Sequence, residues 1–325
     1  VNLSCQLYPL RLQPAYQRYI WGGDRIPKLF RRNLPPGIYA ESWEVSDRAE
    51  APSVVADGPL RGCSLTDLMR ARGAEVLGAA QTSGRCPWLI KLIDACRRLS
   101  VQVHPDSQAA AIHGGEPKTE AWYVLEVDEK AAIYAGFKPG VNAAVLQRAL
   151  ADNAVEKLLE KTTLAAGDLI YVPGGLVHAI GAGCLLLEVQ QNSNTTYRVY
   201  DWGRVGADGQ PRELHVEQAL HSIKWEARPE IIRTTAGSEG VWQILLRAPF
   251  FEIDRLSLSA PGASADLPAS ERCQALFVVS GAVRLTAPSG WKSVLSVGSS
   301  VLIPAVICGC RLETAGGSAV VVRVG

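Results

Sequence analysis

The chain has 325 residues, 47% of them hydrophobic and 20% charged, enough apolar side chain to bury one large core or two smaller ones. Its 33 basic and 32 acidic side chains leave a formal net charge of +1, which gives no broad electrostatic footprint for nucleic acid or an anionic membrane. No apolar run approaches the roughly 20 residues that span a bilayer, and the first residues lack a basic-then-apolar leader pattern; the expectation is a soluble, cytoplasmic protein. The eight cysteines show no repeated spacing, and several sit in apolar runs, so they are expected to be reduced and structural.

Period-2 alternation punctuated by Gly and Pro dominates the chain. It predicts strands over 38–46, 88–94, 99–104, 120–127, 131–137, 168–172, 185–191 and 195–201. Helical spacing interrupts it over 64–77, which opens on the capping hydroxyl of Ser64, and again over 141–161 and 213–225. Past Trp225 the pattern is almost wholly β, with strands over 250–258, 275–285, 301–304 and 319–324. Short strands, frequent turns and few helices predict a mainly β architecture, a β-sandwich or a jelly roll, with one domain over 1–240 and a smaller one over 241–325.

An internal echo supports that division. G-D-L-I-Y-V-P (167–173) is matched by G-S-S-V-L-I-P (298–304): a turn glycine, an apolar strand and a terminating proline. Five residues beyond the first proline stands His178, and five beyond the second stands Gly309. All five histidines precede residue 225, which places the chemistry in the first half.

On a strand, Leu99, Val101 and Val103 face one way while Ser100, Gln102 and His104 face the other. Lys118 and Glu120 share a face of the next strand, and His178 follows a glycine turn. Two imidazoles and a carboxylate, with the neutral oxygen of Gln102 as a fourth donor, suit catalytic Zn²⁺; the same set also accepts Fe²⁺, Mn²⁺ or Co²⁺. Taken singly, a His of this kind is more often a satisfied structural histidine than a ligand, and a lone Glu on a strand is usually solvated.

Seven ordered tracts narrow the choice: W-G-G (21–23), E-S-W-E-V-S (41–46), P-W-L-I-K-L-I-D-A (87–95), L-S-V-Q-V-H-P-D (99–106), K-T-E-A-W-Y (118–123), V-P-G-G-L-V-H-A-I (172–180) and L-E-V-Q-Q-N-S-N-T-T-Y-R-V-Y-D-W (187–202). Together they resemble the type I mannose-6-phosphate isomerases in their short bacterial form. The resemblance implies a cupin fold: two jelly-roll β-domains with a short helical insertion, the second a degenerate copy. It implies one Zn²⁺ per chain, held by Gln102, His104, Glu120 and His178.

The implied reaction interconverts mannose 6-phosphate and fructose 6-phosphate by moving a proton between C1 and C2 through a cis-enediol. By the same resemblance Arg198 is an active-site arginine, Glu188 an acidic position near the site, and Lys91, Ser100 and Lys118 contacts for the sugar phosphate. Arg198, Glu188 and Lys118 form the expected catalytic set, with Asp47 and a metal-bound water as further proton-transfer candidates. Two positions depart from the family pattern. Asn194 stands where an Asp is usual, and an amide is no base at neutral pH; Asp47 stands where long-form members carry a His. The expected partner is a sugar phosphate, with no nucleic acid and no membrane, on a monomer or weak homodimer. The competing readings are a non-catalytic, metal-retaining cupin that senses sugar phosphate, and a metal-dependent cupin oxygenase, which the Lys/Arg set disfavours.

Overall fold

The computed structural model describes residues 3–79, 83–205, 209–235 and 237–325. Among these residues the strands form four antiparallel sheets, of seven, seven, five and four strands. The chain is mainly β, and the two pairs of sheets are the two jelly rolls expected from the sequence.

In the first pair, a seven-stranded sheet runs in the spatial order Glu230–Ile232, Leu169–Val172, Glu120–Val127, Cys184–Gln191, Trp88–Ala95, Glu41–Val45 and Ala15–Gln17. It faces a five-stranded sheet ordered Tyr197–Tyr200, Val101–Val103, His178–Ile180, Ala132–Phe137 and Leu159–Thr163. Ile93, Trp122, Ile170 and Leu186 of the larger sheet meet Ile133, Ala135 and Ile180 of the smaller in one core. The second pair joins Trp242–Arg247, Glu252–Leu258, Ala319–Val324, Gln274–Ser280 and Ser300–Ile303 to a four-stranded sheet, around Leu256, Val278, Val301, Val283 and Leu312.

Two N-terminal strands cross between the halves. Leu10–Gln13 pairs with Ser300–Ile303, and Val54–Val55 pairs with Leu10–Gln13, so both belong to the second seven-stranded sheet. A further core lies between the two seven-stranded sheets, where Leu92, Tyr123 and Leu187 share a cluster with Leu10, Phe277, Leu302 and Val322. This explains why Trp88–Ala95 is buried along its whole length: both of its faces are covered, so polar alternation is lost.

The glycine–strand–proline echo is structural. Gly167 and Gly298 both adopt positive φ, +90° and +79°, two positions ahead of the first residue of strands Leu169–Val172 and Ser300–Ile303 in the two seven-stranded sheets. All eight cysteines are free, five of them buried.

Helix Leu65–Leu77 forms as expected, with the Ser64 side chain accepting from the Asp67 N–H. Helix Val216–Ser222 lies within 213–225. The stretch 141–161 needs correction. Its helix is only Ala143–Ala151, capped by Asn142; Asn153 then takes a left-handed φ of 54°, and a 3₁₀ turn at Val155–Leu158 leads into strand Leu159–Thr163. Val155 and Leu159 enter the same core as Leu146, which kept the apolar spacing going after the helix had stopped. Likewise 275–285 is two strands, Gln274–Ser280 and Ala282–Thr286, in different sheets. Gly281, at φ +70°, makes the turn, and a Cβ there would collide with the Ser318 carbonyl. No helix among the described residues is long and apolar enough to cross a membrane.

Candidate active site

The two facing sheets of the first jelly roll bring the ligand candidates together. On the five-stranded sheet Arg198, Gln102 and His178 form one cross-strand row. Glu120 opens its strand on the opposite sheet, and His104 follows directly on Val101–Val103. His104, Glu120 and His178 are all buried, with one ligand atom from each lying within 4.8 Å of the others, so the group could hold a metal ion.

The rings are already oriented for that role. The Nδ1 of His104 lies 2.9 Å from the Thr195 carbonyl, and that of His178 lies 2.9 Å from the Leu176 carbonyl. A carbonyl only accepts, so each Nδ1 carries the proton and each Nε2 turns its lone pair inward. Those Nε2 atoms lie 3.4 and 3.3 Å from the two Glu120 oxygens. Both Glu120 oxygens are buried without a hydrogen bond of good geometry, the arrangement a bound cation would satisfy. The Gln102 Nε2 is 3.1 Å from His178 Nε2.

Electrostatics fix the protonation states. Burial, reinforced by Lys118, drives His104 down to about 3, and burial also lowers His178. Burial opposes the Glu120 charge, yet the Lys118 ammonium, 2.9 Å away, holds it well below the usual carboxylate range. Neutral imidazoles and an ionised carboxylate are the forms that coordinate a metal.

Beside this group opens a cavity of about 310 Å³. Lys91, Ser100, Gln102, Lys118, Glu188 and Arg198 all line it, so the residues singled out in the sequence for the substrate share one space. Glu188 stands at the centre of the seven-stranded sheet, directly across from Lys91 on one side and Trp122 on the other. Its Oε1 accepts from the Trp122 indole at 3.1 Å, and its Oε2 lies 3.4 Å from the Lys91 ammonium. Burial raises the Glu188 pKa. Burial works against the Lys91 charge, but Glu41 and Glu188 outweigh it and raise its pKa. Arg198 donates through Nη1 to the Glu213 carbonyl at 2.8 Å, while its Nε is buried with no partner among the described residues.

Asp47 does not belong to this cavity. Its Oδ1 accepts from the Asn192 amide at 2.6 Å and its Oδ2 from the Cys86 N–H at 2.9 Å, which makes it a loop tie rather than a base. Asn194 does line the cavity. The cavity also takes in residues for which sequence reasoning assigned no role: Tyr19, Trp21, Glu41 and Arg212. The W-G-G and E-S-W-E-V-S tracts held the signal for Trp21 and Glu41. Arg212, in a loop without periodicity, had none.

The family model for the catalytic domain of type I phosphomannose isomerase matches residues 9–162. A mannose-6-phosphate isomerase of Streptococcus mutans is 38% identical over 253 residues, 77% of this chain and 79% of that protein. One from Bacillus subtilis is 34% identical over 283 residues, 85% of this chain and 87% of that protein. The crystal structure of a mannose 6-phosphate isomerase from Bacillus subtilis superposes with a TM-score of 0.88 at 29% identity, covering 98% of this chain and all of that one. The chain belongs to the type I phosphomannose isomerase family.

Proposed function

We propose that this protein interconverts mannose 6-phosphate and fructose 6-phosphate, moving a proton between C1 and C2 through a cis-enediol. The observation that carries the reading is the buried His104–Glu120–His178 group beside a cavity whose walls hold Lys91, Lys118 and Arg198. All the cavity-lining side chains fall within residues 1–240, the proposed catalytic unit, with 241–325 as its degenerate companion.

We infer one Zn²⁺ per chain, held by His104, Glu120 and His178, with Gln102 as fourth ligand once its amide turns Oε1 inward. Bound there, the cation supplies a Lewis acid for the sugar's carbonyl oxygen. The chain's own groups do the rest. Glu188 and Lys118 are assigned to hold and move the proton between the two carbons. Trp122 and Lys91 keep the Glu188 carboxyl in place. The planar fork of Arg198 suits an enediolate or a phosphate, and Ser100 and Lys91 complete the substrate contacts. The expected state is a cytoplasmic monomer or weak homodimer.

The test is to incubate zinc-loaded protein with mannose 6-phosphate and follow fructose 6-phosphate, with His104→Ala alongside. Turnover in the wild type that vanishes in the variant supports the reading. Metal bound without turnover on either sugar phosphate would sink it and favour a sugar-phosphate sensor, the alternative that Asn194 in the cavity wall keeps in play.

A further inference from the structure

The two ligating imidazoles are held by different means. His178 gives its Nδ1 proton to the Leu176 carbonyl, two residues back in its own turn, which the Leu176 N–H closes onto the Pro173 carbonyl at 3.1 Å. His104 gives its proton to the Thr195 carbonyl, 91 residues away, on the connection between strands Cys184–Gln191 and Tyr197–Tyr200. That connection has no ladder of its own, since residues 192–196 lie outside any strand or helix. The direction of the His104 ring therefore depends on what fixes the path of Thr195.

Glu116 supplies three bonds to that segment. Its N–H donates to Thr195 Oγ1 at 2.9 Å, and its carbonyl accepts from the Ser193 hydroxyl at 3.0 Å. Ser193 Oγ in turn accepts from the Thr195 N–H at 3.2 Å. The carboxylate adds the third bond, with Oε2 accepting from the Asn194 N–H at 3.0 Å. The two backbones come this close because Gly115 precedes Glu116 at φ +87°; a Cβ there would lie 2.6 Å from the Tyr197 hydroxyl and 2.9 Å from Thr195 Cγ2. Arg48, its side chain 12% exposed, braces the same knot: Nη1 donates to Glu116 Oε2 at 2.9 Å and to the Asn192 carbonyl at 3.1 Å. On the other side of the His104 ring, the Lys118 ammonium, which can only donate, lies 3.2 Å from Nε2 and meets a lone pair there.

We propose that Glu116, braced by Arg48, is a positioning residue for His104: by fixing residues 193–195 it sets the Thr195 carbonyl that takes the Nδ1 proton, and so keeps the Nε2 lone pair turned towards Glu120 and His178. The inference rests on the metal-dependent isomerase reading for the use of that lone pair, whereas the tautomer is a property of the metal-free chain. Glu116 does not line the cavity and has no part in the proton transfer.

The experiment compares wild type with Glu116→Ala, Arg48→Met and Glu116→Gln, whose amide oxygen can keep both bonds made by Oε2. Thermal melts establish which of these full-length variants fold. Heteronuclear NMR of the imidazoles in the metal-free proteins at neutral pH reads which ring nitrogen of His104 and of His178 carries the proton. Competition with a chromophoric chelator then reads Zn²⁺ affinity. The expected result for Glu116→Ala is a His104 ring shared between tautomers, His178 unchanged, and Zn²⁺ affinity lower by about tenfold, the low end of the range for outer partners of a metal ligand. Glu116→Gln should stay close to wild type in both readings. Where Glu116→Ala does not fold, Arg48→Met carries the same test, with a smaller change in the same direction. A folded Glu116→Ala with His104 and Zn²⁺ affinity as in wild type would overturn the inference. So would equal changes at both histidines, which mark a general loosening, or failure of all three variants to fold, which would assign the tie to the scaffold. A wild type whose His104 tautomer depends on Glu116, but which binds no Zn²⁺ or turns over no sugar phosphate, would defeat the metal-dependent isomerase reading while leaving the positioning role standing.

Discussion

At His104 and His178 the backbone carbonyls of Thr195 and Leu176 take the Nδ1 protons, so both rings offer a lone pair to the space around Glu120. Glu120→Gln keeps the shape but removes the only anionic donor of the three. Its affinity for a divalent metal should fall by at least tenfold, read by competition with a chromophoric chelator; an unchanged affinity would remove Glu120 from the ligand set. The same burial predicts a pH dependence for the metal-free protein. His104 titrates near 6.5 when unfolded and near 3 when folded, so the unfolded chain binds more protons in between. Stability contributed by the neutral ring is complete above about 6.5 and is lost as the pH falls towards 3. His178, lowered in the same direction, adds to the slope. Melts of the metal-free wild type from neutral to acid pH should fall more steeply than those of His104→Gln, and parallel curves would refute the assignment.

The strand Cys184–Gln191 is the element on which the site turns, because Glu188 at its middle has both cross-strand neighbours fixed by register: Lys91 on one strand, Trp122 on the other. Glu188→Gln leaves an acceptor for the Trp122 indole, so the fold should survive with little change in Tm. If Glu188 moves the proton, kcat should drop by about 100-fold or more, the usual scale for general acid–base catalysis, with KM nearly constant. A variant with wild-type kcat would shift that role to Lys118. Register also explains what local pattern misses. Glu188 and Lys91 are far apart in sequence, and an apolar run with one charge in it does not say which residue lies opposite. The stretch 141–161 failed for a related reason: its spacing records what is buried, and helix and strand residues there enter one core.

Across the whole molecule, the two seven-stranded sheets share a core, and a buried polar link joins them. Glu44 is 1% exposed; Arg32 grips its carboxylate at 2.7 and 3.0 Å, and the Ser300 hydroxyl donates to it at 2.6 Å. Arg32 also donates to the Gly298 carbonyl at 2.8 Å, next to the turn that the echo motif identified. Glu44→Ala strands a largely buried guanidinium and should cost about 3–5 kcal/mol in denaturant unfolding, against 1 or less for an exposed pair. A loss within the surface range would show that the link is solvated in solution and does not tie the halves together.

Sequence alone determined the class of fold and singled out the candidate ligands, since alternation sets which side chains share a face and seven ordered tracts carry a family pattern. The period of a strand is local physics, and by itself it puts Ser100, Gln102 and His104 on one face. Tertiary structure decided which faces meet. It removed Asp47 from the chemistry, since its two oxygens are taken by Cys86 and Asn192, 39 and 145 residues away in the chain. It admitted Glu41 and Arg212, and it sent strands Leu10–Gln13 and Val54–Val55 into the far sheet. Each of these outcomes depends on pairing and packing between distant segments, where the free energy comes from contacts that no local window contains.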